Sequence, residues 1–339
     1  MSRILIFDQY GAALGEIDAL TRRSWILYGE GACAFRMATS DAKCTETLLQ
    51  FGNFLLIQDD EFPDWCGVIE PDRNWGHGWM EVRAYTLERM LANCGTPIQK
   101  ITGSAGTIFE KIVNIYNQYA SLPFGFGTIY RGGPQREETL GDSAYEHVRR
   151  VRERSGNYWR FTPAIQNGRL TITAEWLETL GAVNGQILAE GLNLALEEPL
   201  LTEYGPIWNV VTGLGDASTD GSRLSVTVTD ADSAAKYGRR STSIVFSGNT
   251  QLPTLEQNAN EYLQQYAQPL KQVTTKIVRN ADVFQNLRIG DWYPVSLSSV
   301  GFAGGGLGYN AVMRLMGMER DDESDMVDAV MSMDTGGER

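Results

Sequence analysis

Short apolar and β-branched runs, cut at close intervals by Gly, Asp, Asn and Ser, fill both ends of this chain and restrict it to a mainly β fold. At the N-terminal end the strands read as Ile4–Phe7, Ser24–Tyr28, Ala32–Met37, Phe54–Ile57, Trp65–Ile69 and Trp79–Tyr85. Strands so closely spaced predict a barrel or sandwich. Thirty-six glycines and fourteen tyrosines point the same way. A short helix, Leu87–Ala92, follows and is stopped by Asn93, Cys94 and Gly95, with Pro97 just beyond.

The middle of the chain changes period. Ile108, Phe109, Ile112, Val113, Tyr116 and Tyr119 recur at helical spacing behind Ser104, a predicted N-cap. A second helix is expected from Asp142 to Ser155, burying Tyr145, Val148 and Val151 and stopping at Gly156. Tyr158–Thr162 and Arg169–Thr173 flank Asn167-Gly168, a dipeptide that accepts the positive φ of a tight hairpin turn. The β signal then returns in Ile207–Val211, Leu224–Thr229, Ser243–Phe246, Val273–Val278, Trp292–Leu297 and Asn310–Met318. One helix interrupts it, with Thr254 and Gln257 as a predicted capping box and Leu255, Ala259, Tyr262, Leu263 and Tyr266 as its apolar stripe. The resulting fold class is mainly β with an α/β insertion. Its expected parts are a β-barrel or sandwich over 1–96, an α/β domain over 97–195, a second such β-domain over 196–320, and an acidic tail over 321–339 that is mobile or orders only against a partner. A single helix in each β-domain hints at an internal repeat.

Charge and cysteine usage narrow the function classes. With 29 basic and 42 acidic residues the net charge is −13, a poor surface for gripping nucleic acid. Residues 321–339 hold seven of the acids against one arginine, leaving −7 on the rest. Cys33, Cys44, Cys66 and Cys94 are widely spaced without a C-x-x-C pair and read as buried free thiols, suited to folding in a reducing cytoplasm. The chain has no apolar run of transmembrane length and no secretory leader at Met1-Ser2-Arg3-Ile4, so stable membrane insertion is not expected.

Catalytic and ligand motifs are missing from the sequence. Of its two histidines, His77 lies in Trp75-Gly76-His77-Gly78-Trp79, a loop between strands, and His147 on the second helix, in a packed or solvated role; neither fits H-E-x-x-H. Thr102-Gly103-Ser104-Ala105-Gly106 lacks the first glycine of a nucleophile elbow. The stretch Gly301-Phe302-Ala303-Gly304-Gly305-Gly306-Leu307-Gly308 lacks the Lys-Ser/Thr of a phosphate loop and reads as a flexible hairpin loop. Asp230-Ala231-Asp232-Ser233 lacks the remaining ligands of a calcium loop and reads as a turn at a strand end. The arginines at 149, 150, 152 and 154 are expected to spread around a solvated helix face and make ion pairs. No catalytic residue, cofactor or metal is assigned.

Several stretches, in order, resemble phage tail hub proteins. Trp65-Cys66-Gly67-Val68-Ile69 is similar to their "W-x-G-x-I", and Tyr85–Leu91 to the strand-to-helix passage after it. Asn209-Val210-Val211 with Gly213 resembles "N-x-V-x-G", and the stretch from Asp230 to Gly238, containing Asp232, Ser233 and Tyr237, resembles "D-x-x-S-x-x-x-Y-G". Leu287–Trp292, with Gly290 and Asp291, resembles the "L-x-I-G-D" turn into a strand. Two features depart from the pattern: Arg240 stands where a glutamate is usual, and the acidic tail has no counterpart.

The resemblance implies a virion protein at the tail tip, similar in fold to the baseplate hub of contractile-tailed phages. It implies a homotrimer whose two tube-like β-domains per chain make a pseudo-sixfold ring. Such a ring would join a tail tube or distal tail protein to a central fibre or spike, hold the end of the tape-measure protein and let DNA pass without specific binding. Closing a ring covers sheet edges that would otherwise leave backbone groups unpaired. Two other classes compete: a tail-associated peptidoglycan hydrolase, and a receptor- or carbohydrate-binding protein using exposed Trp and Tyr.

Overall fold

A computed structural model describes residues 3–196, 199–217, 221–246, 251–278, 281–301 and 307–333. The chain divides into two compact units, a larger one containing Met1–Leu200 and Thr274–Met331 and a smaller one containing Leu201–Val273.

The larger unit begins with seven strands, β1 (Arg3–Phe7), β2 (Ala13–Ile17), β3 (Thr21–Ile26), β4 (Ala32–Ala38), β5 (Phe54–Gln58), β6 (Trp65–Gly76) and β7 (Trp79–Thr86). They pair antiparallel in the order β3-β4-β7-β6-β5-β1-β2. This path has two ends, so of the expected barrel or sandwich no closed barrel forms. His77 lies in the turn between β6 and β7, as its flanking glycines predict. One face buries Ile4, Ile6, Leu55, Ile57, Trp65 and Val82, each worth about 1.5–3 kcal/mol when removed from water. The other face, with Phe7, Phe54, Leu56 and Val68, packs on the helices that follow. Alternate residues of one strand thus serve two cores, as a period of two requires.

Those helices are α1 (Glu88–Ala92), α2 (Ala105–Asn117) and α3 (Ala144–Ser155), accompanied by β8 (Lys100–Gly103), β9 (Gly125–Ile129), β10 (Arg136–Thr139), β11 (Tyr158–Gln166) and β12 (Arg169–Leu177). Ser104 caps α2 by accepting from the Thr107 N–H at 3.4 Å, and Ile108, Phe109, Ile112, Val113 and Tyr116 are buried. Tyr119 lies beyond the helix and is 81% exposed, because α2 ends at Asn117. The hairpin β11–β12 turns at Asn167 and Gly168, whose φ values are +52° and +74°.

Helix α3 departs from the solvated reading of its arginines. Arg149 pairs with Glu146 and Glu153, and Arg150 with Asp142 and Glu138, but Arg152 is only 1% exposed with its guanidinium 3.7 Å from the Tyr28 ring centre. Position 152 lies one turn from Val148 on the buried face, which decides its direction. His147, also buried, bonds Glu138 through Nδ1 at 2.8 Å while its Nε2 accepts from the N–H groups of Gly141 and Asp142. Those two acceptances require an unprotonated Nε2, and burial, ahead of the Arg150 charge, holds the imidazole below its usual range.

A two-residue strand, β13 (Leu188–Ala189), leads into the smaller unit. There β14 (Leu200–Tyr204) is followed by β15 (Val210–Ala217), β16 (Arg223–Thr229), α4 (Ala231–Tyr237), β17 (Ser241–Val245) and α5 (Leu252–Tyr266). Strand β15 is central in a three-stranded sheet, antiparallel to β16 and parallel to β17. Helix α5 covers it, packing Ala259 and Leu263 with Val211 and Val228. The Thr254 capping box does not form: α5 starts earlier, at Leu252, because Pro253 suits a first turn that has no use for its missing N–H.

The chain returns through β18 (Leu270–Val278) to α6 (Ala281–Phe284), β19 (Trp292–Gly301), β20 (Leu307–Asp321) and β21 (Met326–Ser332). Strand β20 pairs with β19 over Leu307–Arg314 and with β3 over Gly317–Asp321, and β21 lies beside it. The expected mobile tail is therefore a strand over 326–332, with Val327, Ala329 and Met331 fully buried at alternate positions. Most of the glycine-rich stretch, 302–306, and the tail beyond 333, including Gly336-Gly337, lie outside the described residues.

Arg23, fully buried, bridges Asp59 and Asp322, and Asp322 also accepts from the Thr21 N–H at 2.9 Å. Asp322→Ala should lower unfolding stability by about 1–3 kcal/mol, since it leaves the buried Arg23 guanidinium with one carboxylate in place of two and the Thr21 N–H without its acceptor; urea midpoints measure this. Stability should also fall on acidification. An imidazole whose folded pKa lies below its unfolded value of about 6.5 takes up a proton more readily when unfolded, so its contribution is lost as pH drops through that value. Melts between neutral pH and mild acid should show this component in the native chain and lose it in His147→Gln, whose amide still accepts from both backbone N–H groups.

Candidate functional site

The motif residues fall into three groups. In the smaller unit Asn209 is fully buried at the entry to β15. Its Oδ1 accepts from the Arg240 N–H at 2.7 Å, and its Nδ2 donates to the Gly238 carbonyl at 2.8 Å and the Ser233 hydroxyl at 3.4 Å. Ser233, 3% exposed, in turn donates to the Ala267 carbonyl behind α5, and its N–H donates to Asp230 at 2.8 Å. The stretch read as a turn is helix α4, capped by Asp230. Asn209, Ser233 and Gly238 thus tie the start of β15, α4 and the end of α5 into one polar junction. Asp232 is exposed and takes no part; Tyr237 is half-buried under the Lys236 ammonium.

In the larger unit Trp65 is buried and donates its indole N–H to the Ser24 carbonyl at 2.9 Å, joining β6 to β3. A Cβ at Gly67 would lie 2.3 Å from the Tyr85 carbonyl oxygen and 2.4 Å from the Trp65 ring, so only glycine fits. The third group is Gly290 and Asp291. The Gly290 carbonyl accepts from Arg314 at 2.8 Å, and the Asp291 carboxylate from the Ala182 N–H at 2.9 Å.

Arg314 is the residue the sequence reading missed. It is fully buried, donates also to the Leu180 carbonyl at 2.6 Å and lies 4.5 Å from the Tyr158 ring centre. Its neighbour Tyr28 is pushed up to about 12, by burial first, which outweighs the two guanidinium charges beside it. The signal was present: one arginine inside Ala311-Val312-Met313-Arg314-Leu315-Met316.

Trp65 and Asp291 also line a cavity of about 410 Å³ in the larger unit, with Trp25, Trp159 and Glu88 among its other walls. Burial pushes the Glu88 carboxyl up, against hydrogen bonds from Thr86, its own N–H and the Trp159 indole. Among the described residues no group of three His, Cys, Asp or Glu side chains could hold a metal, and no helix is long and apolar enough to cross a membrane.

These groups differ in what they hold, and substitution separates them. Asn209→Ala should cost roughly 2–4 kcal/mol in urea unfolding, because it leaves buried backbone and hydroxyl partners unsatisfied. Asp232→Ala, at an exposed position, should stay within about 0.5 kcal/mol.

No family model matches the chain, and no curated protein matches it by sequence. Solved structures do. Prophage tail protein gp18 from Listeria monocytogenes aligns over 98% of this chain and 94% of its own, with a TM-score of 0.66 and 13% identity. The 43 kDa tail protein of prophage MuSo2 from Shewanella oneidensis aligns over 98% of both chains (TM-score 0.64, 12% identity). A tail protein from Neisseria meningitidis aligns over 98% of this chain and 97% of its own (TM-score 0.64, 13% identity). From end to end, this chain has the fold of phage tail proteins.

Proposed function

We propose that the chain is a structural protein of the phage tail tip, a hub that assembles as a homotrimer and joins the tail tube or distal tail protein to a central fibre or spike. The observation that carries this reading is the fold it shares with prophage tail proteins over nearly the whole of each chain. Two further features support it. Strands β2 and β17 each have a single strand neighbour among the described residues, leaving edges that a neighbouring subunit can cover. The net charge of −13 suits a lumen through which DNA moves without adhering, and through which the tape-measure protein would enter. No bond-making step is part of this role, and the protein acts as a connector in the virion.

The purified chain should have a solution mass about three times its 37.6 kDa and show threefold rings with a central opening by negative stain. A compact monomer at assembly concentrations would sink the hub reading. A cell-wall zymogram should stay opaque; clearing would make the chain a hydrolase.

A further inference from the structure

Between Leu180 and Leu196 the chain forms a strap that includes β13 and carries one charged side chain, Glu190. That carboxylate is already held, accepting from the Ser298 hydroxyl at 3.0 Å and the Ser299 N–H at 2.8 Å. Both margins of the strap are fixed. Asn184 and Glu190 donate their N–H groups to the Trp292 and Ser296 carbonyls of β19 at 2.7 and 2.9 Å, and Ala195 donates its own to the Lys276 carbonyl of β18 at 2.9 Å. Buried Asn193 ties the turn between them: its side chain accepts from the Ala189 N–H and donates to the Ile187 carbonyl, both at 2.8 Å.

The strap sorts its aliphatic side chains. Leu188 and Leu194 are buried, whereas Val183, Ile187, Leu192 and Leu196 are between 53% and 73% exposed. A Cβ at Gly191 would stand 3.2 Å from the Leu196 side chain, so Leu196 lies close to the turn that carries Leu192. Held by its backbone bonds, the strap cannot turn these four inward. Together they present on the order of 400 Å² of apolar surface, as much as the largest patches on ordinary monomers. A standard interface takes about 800 Å² from each partner, and homomeric interfaces are roughly 65% apolar, so the strap supplies the greater part of the apolar contact that one of them requires.

Charge selects the occupant. Two copies of a chain with net charge −13 repel each other and have no surplus of basic groups to pair with their acids, so they meet best where neither is charged. A basic partner would instead be drawn to the acidic surface. We propose that the strap over 180–196 is a contact surface between copies of this chain, seated against the next subunit. The inference rests on the homotrimer reading and adds the surface through which the copies meet.

The test combines solution mass with hydroxyl-radical footprinting of the full chain. Ile187→Asp together with Leu192→Asp should raise the dissociation constant of the trimer by about a hundredfold or more, with the far-UV circular dichroism unchanged, because each exchange forfeits the burial of one aliphatic side chain and sets a charge in its place. Solution mass should then fall to one third. Val183, Ile187, Leu192 and Leu196 should be protected from oxidation in the native trimer and react in the monomer obtained by dilution, as Val183 and Leu196 should in the monomeric variant. If the variant fails to fold, the footprint of the native chain decides. A folded variant that stays trimeric, or strap side chains oxidised equally in trimer and monomer, would overturn the proposal while the trimer stands, and would leave the strap to another tail protein. A native chain that is monomeric at every concentration would overturn both readings.

Discussion

The pairing of β3 with the end of β20 is the constraint on which the larger unit depends. Ile26 faces Gly317 and Arg22 faces Asp321, so residues nearly 300 apart in sequence become neighbours in one sheet. Closing so long a loop costs roughly 5 kcal/mol in chain entropy beyond a constant, and the few hydrogen bonds of a short ladder do not meet that alone. The buried triad of Arg23 with Asp59 and Asp322 fixes the join. It draws β3, the segment after β5 and the turn after β20 to one guanidinium, so a register slip by one residue would turn Arg23 to the opposite face and break its bridge to both carboxylates. Everything between these strands in sequence is inserted into the loop they close.

Three of the four arginines buried among the described residues show three ways of keeping a guanidinium out of water. Arg23 uses carboxylates; Arg314 uses the Gly290 and Leu180 carbonyls and the Tyr158 face; Arg152 uses the face of Tyr28. A cation over an aromatic ring gains about 2 kcal/mol or more when desolvated, which offsets part of the cost of burying Arg152. What the planar cations supply is direction. Arg314 reaches from β20 to the turn before β19 and to the segment after β12 at once, which an aliphatic side chain of similar length does without specifying register.

Much of the fold was legible because its elements obey simple periods. The six N-terminal strands, the Ser104 cap, the Gly156 stop and the Asn167-Gly168 turn are local statements in which propensity, pattern and packing agree. The misses occur where one local cue overrode another. At α5 the capping-box residues outweighed Pro253, which sets the helix start more strongly by its missing N–H. At the C-terminal end a run of acids hid the alternation of Val327, Ala329 and Met331, because charge at the exposed positions of a strand looks the same as charge in a tail. The junction around Asn209 was partly legible: its residues were singled out, yet nothing local shows that one amide will serve β15, α4 and the residue after Gly238 together.

The same distinction separates fold from assembly. A burial pattern survives wide exchange of apolar residues, provided volume and period are kept, which explains how chains sharing few identities take one fold. Surface contacts have no such redundancy. Among the described residues, β2 and β17 each have a single strand neighbour, so one edge of each has no complement within the sheet. A period of two reports which face of a strand is buried; it carries nothing about which edge is covered, because edge groups belong to the backbone and are the same for every residue but proline. Which edges stay open must therefore be read from coordinates, where each unpaired backbone group becomes a specific chemical demand.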